Sequence, residues 1–159
     1  MKKLFLLAIA FIGFTTVSNA QEISNNAIGL RLGDSDGLGA EISFQHALRE
    51  TNRLEVDLGW RNGNDYSAYK LTGLYQWVFP LDGAFNWYVG AGAGIASFDG
   101  KNQFNDVNDT AFFGAGDIGV EYNFDIPLLV SLDFRPEIGN NDFTDNTVFD
   151  IALSIRYQF

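Results

Sequence analysis

Eight times along this chain apolar and polar residues alternate at every second position, and the runs are punctuated by clusters of Gly, Asn and Asp. Successive side chains of a β-strand point to opposite faces, so a sustained period of two dictates strands with one apolar and one polar face. The clearest run is 53–61, where Leu54, Val56, Leu58 and Trp60 alternate with Arg53, Glu55, Asp57, Gly59 and Arg61. The others span 26–33, 38–45, 67–79, 86–97, 111–124, 128–137 and 148–159. In 67–79 the contrast weakens, because Leu74 and Val78 share the face of Lys70, Thr72 and Gln76. In 86–97 the polar-face positions are taken by Gly90, Gly92 and Gly94. Helical periodicity is not sustained anywhere after residue 20, so the fold class is all-β.

The connections follow a rhythm of their own. HALRETN (46–52), PLDGA (80–84) and DIP (125–127) are compact and carry turn formers. NGNDYS (62–67), DGKNQFNDVND (99–109) and GNNDFTDN (139–146) are longer, polar and rich in Asp and Asn, while GDSDG (33–37) is short. Short turns alternating with longer loops predict an eight-stranded antiparallel up-and-down barrel whose two ends face different surroundings. No linker, charge block or fixed-period repeat divides residues 21–159, which read as one domain.

Alternation alone does not say which face points inward. A lipocalin-like secreted binding barrel would fold its apolar face around a ligand; a transmembrane barrel turns that face to lipid. Three features favour the second arrangement. The polar face carries Arg31, Arg53, Arg61, Lys70, Arg135 and Arg156 together with Glu41, Glu55, Asp57, Asp117, Glu121, Asp133, Glu137 and Asp150. Arg dominates the basic set, and its planar fork suits buried carboxylates better than Lys does. Trp60, Trp77, Phe79, Trp87, Tyr122, Phe124, Tyr157 and Phe159 fall at strand ends on the apolar face, where rings would meet lipid headgroups. The last run, VFDIALSIRYQF, carries its apolar residues to the final Phe159, whereas soluble domains usually finish in a frayed polar stretch.

The N-terminus, MKKLFLLAIAFIGFTTVSNA, places Lys2 and Lys3 before an apolar stretch and ends in the small-x-small triplet Ser18-Asn19-Ala20. That is the pattern of a cleavable secretory signal peptide over residues 1–20, with cleavage expected before Gln21 and export through the Sec pathway. Loss of Lys2 and Lys3 would take the formal charge from -10 to -12, which argues against nucleic acid as a partner. The absence of cysteine excludes a disulfide framework.

Leu153, Ile155, Tyr157 and Phe159 resemble the C-terminal recognition signal that the barrel assembly machinery reads in bacterial outer-membrane barrels. With the local stretches WYVGAGAGIASF, FFGAGDIGVEYNF and SLDFRPEIG, residues 21–159 resemble the small eight-stranded outer-membrane β-barrels of the OmpA/OmpX/OmpW type. The resemblance implies a Gram-negative outer membrane, lipids and lipopolysaccharide as surroundings, periplasmic chaperones in transit, and no cofactor. It also implies a structural role or surface contact through loops 62–66, 99–109 and 139–146. No OmpA-type peptidoglycan-binding domain is expected after the barrel.

Eight strands leave an interior that side chains can fill, so the fourteen charged residues named above are expected to plug the lumen as an ion-paired network. An OmpW-like narrow path for small hydrophobic molecules is the alternative, with Leu74, Val78, Tyr88, Phe98 and Phe113 as its lining. A lipid-modifying enzyme would need a His–Ser pair on the lipid-facing wall. The one histidine, His46, and Ser43 have opposite parity, so no catalytic residues are assigned. DSDG (34–37) and DVND (106–109) lack the spacing of a calcium loop and read as turns, so no metal site is assigned.

Overall fold

The computed structural model describes residues 23–33, 39–62, 66–102, 105–139 and 147–159; at 61–62, 66–67, 98–102, 105–109 and 147 it describes the backbone alone. The expected leader and the segments 34–38, 63–65, 103–104 and 140–146 lie outside those residues.

Eight strands follow one another in the chain: β1 (Asn26–Gly33), β2 (Gly39–Arg49), β3 (Asn52–Asn62), β4 (Tyr66–Asp82), β5 (Phe85–Asn102), β6 (Asn105–Asn123), β7 (Leu128–Gly139) and β8 (Thr147–Gln158). Each pairs antiparallel with the next, and β1 pairs antiparallel with β8, so the sheet closes on itself. Closure removes the two free edges that an open sheet would leave. At the rim the seam is tied by Asn26 and Phe159, whose backbone amides and carbonyls bond reciprocally at 3.1 and 2.9 Å.

Period-two patterning located every strand, but two readings of the connections need correction. β5 and β6 stay paired as far as Asn102 and Asn105, so most of 99–109 is strand and not loop. Asn and Asp are poor strand formers in isolation, and here a long two-stranded ladder overrides that preference. Likewise β2 runs on through Arg49, which leaves Glu50 and Thr51 as the turn of HALRETN. The PLDGA turn closes through Gly83, whose φ of 54° lies in the left-handed region that glycine adopts without steric cost.

Gly29 is the tightest point of the seam. A methyl group there would strike the Ile155 carbonyl oxygen and the Arg156 Cα, backbone atoms that cannot swing aside. Gly29→Ala is therefore expected to lower unfolding stability by about 1–3 kcal/mol, the usual range for overpacking. Denaturant unfolding in detergent micelles checks it; Gly73→Ala, where the nearest contact is 4.0 Å away, serves as the tolerant comparison.

The faces are inverted relative to a soluble barrel. Leu54, Val56 and Leu58 expose 41–46% of their surface, whereas the intervening Glu55 and Asp57 expose 2% and 1%. The same division holds on β8, where Ile151, Leu153 and Ile155 face out and Asp150, Ser154 and Arg156 face in. The lipocalin-like orientation is thus not the one adopted. Outside, aliphatic side chains dominate the middle of the wall, with Phe44 and Phe134 among them; aromatic ones gather at its ends, Trp60, Tyr69, Phe112 and Phe149 toward the loops and a larger cluster toward the turns. There Phe79 stacks on Trp87 at 4.7 Å, and Tyr122 meets both Phe85 and Phe124 edge-on at 4.6 Å.

Candidate functional site

Inward-facing positions of all eight strands meet along the barrel axis, and the strand parity places polar groups there. Arg31, Arg53, Arg135 and Arg156 are fully buried, each held among acceptors from several strands. Arg31 serves three carboxylates. Its Nε and Nη2 donate to Asp133 Oδ1 at 3.0 and 2.6 Å, while Nη1 donates to Glu41 Oε2 at 2.9 Å and Asp150 Oδ2 at 2.7 Å. Arg135 donates through Nη2 to Glu55 Oε1 at 3.0 Å and Asp57 Oδ2 at 2.7 Å, and its Nη1 lies 3.6 Å from Glu41 Oε2.

Glu55 is the hub of the middle layer. Besides Arg135 it accepts from Arg156 Nη2 at 3.1 Å, Gln45 Nε2 at 2.5 Å and Gln76 Nε2 at 3.2 Å. Arg156 completes its fork on two hydroxyls, Ser43 Oγ at 2.9 Å and Ser131 Oγ at 2.8 Å. Toward the turn end, Arg53 donates to Gln76 Oε1 at 2.6 Å, pairs with Glu121 at 2.7 Å and sits 4.9 Å above the Tyr88 ring. Toward the loop end, Lys70 pairs with Glu137 at 2.5 Å and lies 5.3 Å from the Phe113 ring centroid. Asp117 accepts from Gln76 Nε2 at 2.5 Å.

Thirteen of the fourteen charged residues named from the sequence thus have side chains placed inside the barrel; the side chain of Arg61 lies outside the described residues. The network also has neutral members that a count of charges missed: Ser43, Gln45, Gln76, Asn86 and Ser131 supply donors or acceptors that the arginines and carboxylates alone would lack. Parity was the available signal for four of them, since Ser43, Gln45, Gln76 and Ser131 each share a strand face with a named charge; Asn86 lies on β5, which carries none of the named charges. Multiple partners are what make such burial tolerable, because removing an ion from water costs several kcal/mol unless it is paired and hydrogen-bonded.

The apolar candidates for a transport path have a different setting. Leu74, Val78 and Tyr88 expose only 1–3% and pack as filler among the polar groups. Phe113 is half-buried beside Lys70, and the side chain of Phe98 is outside the described residues. His46 faces outward and its Nδ1 lies 2.9 Å from Asn26 Oδ1, whereas Ser43 faces inward to Arg156. The two therefore stand on opposite sides of the wall. Leu153, Ile155, Tyr157 and Phe159 all project outward from β8, with Tyr157 and Phe159 stacked at 6.3 Å.

Solved structures share this architecture. The N-terminal β-barrel domain of Pseudomonas aeruginosa OprF matches with a TM-score of 0.74 over 87% of this chain and 100% of that domain, at 14% sequence identity. Neisserial surface protein A matches at 0.65 over 84% of this chain and 94% of that one, again at 14% identity. The fold is that of the small eight-stranded outer-membrane barrels. Ail, the attachment invasion locus protein of Yersinia pestis, matches at 0.60 over 87% of this chain and 99% of that one, at 14% identity. No family model matches the chain, and no curated protein matches it by sequence.

Proposed function

We propose that this protein is an integral barrel of a Gram-negative outer membrane, with a lumen plugged by its own ion-paired side chains and a structural or surface-contact role. The observation that carries the reading is the inversion of the wall: a mainly aliphatic belt with aromatic ends outside, and fully buried arginines inside. In water such a belt would be a large exposed apolar patch; in a bilayer it is the surface that hydrocarbon requires. Burial of Arg31, Arg53, Arg135 and Arg156 to 0–1% exposure supports a sealed interior, because almost none of their surface is open to water. Surface contact would fall to the polar loops at 62–66 and 139–146 and the tip of the β5–β6 hairpin. The name of Ail, an attachment invasion locus protein, supplies a precedent for that role on this fold.

In this reading residues 1–20 direct export and are removed, and the outward ladder Leu153, Ile155, Tyr157 and Phe159 presents β8 to the assembly machinery. The test is expression of the whole chain followed by fractionation. Heat-modifiable migration in the outer-membrane fraction is the expected result, and release as soluble periplasmic protein overturns it. In planar bilayers the purified barrel is expected to give no well-defined channel openings; regular openings would count against the plug. Deleting Phe159 is expected to reduce outer-membrane yield severalfold, since it removes the final ring of the ladder. Unchanged yield would mean that β8 ends the domain without serving as a signal.

A further inference from the structure

The four buried arginines among the described residues divide by where their partners lie along the chain. Arg53 on β3 is served by Gln76 on β4, Tyr88 on β5 and Glu121 on β6. These four strands are consecutive, so a curling sheet can assemble the cluster before its ends meet. Arg31 on β1 and Arg156 on β8 flank the closing seam and behave differently. Each has one partner on its own side and two beyond the seam. For Arg31 the near partner is Glu41 on β2, and the far ones are Asp150 on β8 and Asp133 on β7. For Arg156 the near partner is Ser131 on β7, and the far ones are Ser43 on β2 and Glu55 on β3. Arg135 on β7 likewise reaches Glu55 and Asp57 on β3.

The seam itself is short, pairing Ala27–Gly33 with Ala152–Gln158, whereas β5 and β6 pair from Phe85 to Asn102. Backbone bonds alone would make it one of the weaker joints of the ring. An unclosed sheet would moreover hold Arg31, Arg135 and Arg156 apart from most of their acceptors in a medium that does not hydrate them, at a cost of several kcal/mol per ion.

We infer that Arg31 and Arg156 form a reciprocal latch that makes closure of the β1/β8 seam all-or-none, while Arg53 organises the β3–β6 part of the sheet beforehand. Both latch residues are positioning residues for ring closure. The latch belongs to the closed barrel in any amphiphile and is independent of the outer-membrane address proposed above.

The chain has no cysteine, so introduced pairs report strand joining cleanly. Leu30 and Ile155 are direct partners across the seam, and Leu71 and Ile95 are direct partners between β4 and β5. The full chain carrying either cysteine pair is refolded from urea into detergent micelles under mild oxidation, and the appearance of each disulfide is timed. Arg31→Met and Arg156→Met are expected to slow the seam disulfide at least about tenfold relative to the β4–β5 disulfide, because closure must then proceed with carboxylates or hydroxyls unpartnered. Arg53→Met is expected to slow both disulfides together, because the β3–β6 part forms before the seam closes, and so to leave that ratio unchanged. The inference is overturned if the ratio does not move in the Arg31 and Arg156 variants, or if Arg53→Met moves it equally. Should Arg31→Met yield neither disulfide, Arg31→Lys, which keeps the charge and loses the three-way fork, decides by the same ratio: an intermediate slowing supports the latch and an unmoved ratio sinks it.

Discussion

A Glu55→Leu variant is expected to lose about 3–5 kcal/mol of unfolding stability, the range for breaking a buried pair by deleting one partner. The reason is the traffic through this one carboxylate. Arg135 would keep Asp57, but Arg156 would be left with two hydroxyls and no carboxylate bond. The amides of Gln45 and Gln76 would also lose an acceptor inside the barrel. Glu55→Gln, which keeps an acceptor oxygen without the charge, is expected to fall between the native protein and Glu55→Leu. The stronger check is a second substitution. If the cost lies in the stranded cation, Glu55→Leu combined with Arg156→Met should be more stable than Glu55→Leu alone, since replacing both members of a buried pair by apolar groups is often neutral. Trp60, Trp77 and Trp87 provide the fluorescence signal for denaturant unfolding in micelles, and a change in midpoint without a change in slope identifies a pure stability effect. A double variant less stable than the single one would show that Glu55 matters for shape and not for charge.

How much of this could be read beforehand follows from the period of the strands. Because side chains alternate strictly, Arg53, Glu55 and Asp57 had to share a face whatever the fold, and the same holds for Asp150, Ser154 and Arg156. The faces were therefore legible. Their orientation was legible only indirectly, through the preference for Arg over Lys and the aromatic rings at strand ends. Which charge meets which was not legible, because partners such as Arg31 and Asp133 lie on β1 and β7 and are joined only by closure of the ring and the tilt of its strands. The neutral members were hidden for a related reason: Ser43 and Gln76 look like ordinary spacers until an arginine from a distant strand arrives beside them. The length of β5 and β6 was misjudged because Asp and Asn were read as turn residues, whereas an adjoining ladder carries them along as strand.

The neighbouring residue offers the opposite experiment. Val56 lies beside Glu55 in the chain, in the middle of β3, and points to the other side of the wall with Phe44 and Gly73 as its cross-strand neighbours. In a bilayer its surroundings are hydrocarbon, so Val56→Arg is expected to cost about 2–4 kcal/mol in lipid vesicles, the range for a lipid-facing cation near the midplane. Leu48, equally exposed but at the end of β2 beside the turn, should tolerate the same change at about 0–1 kcal/mol, because an arginine there reaches the headgroups. A barrel whose outer face met water would give another pattern, with both substitutions within about 0.5 kcal/mol of neutral. The difference between positions 56 and 48 thus measures the depth of the surrounding medium directly. Taken with Glu55→Leu it sets two adjacent residues against each other: an apolar side chain is ruinous at 55 and required at 56. Only a wall with ions inside and oil outside imposes both demands on consecutive positions of one strand.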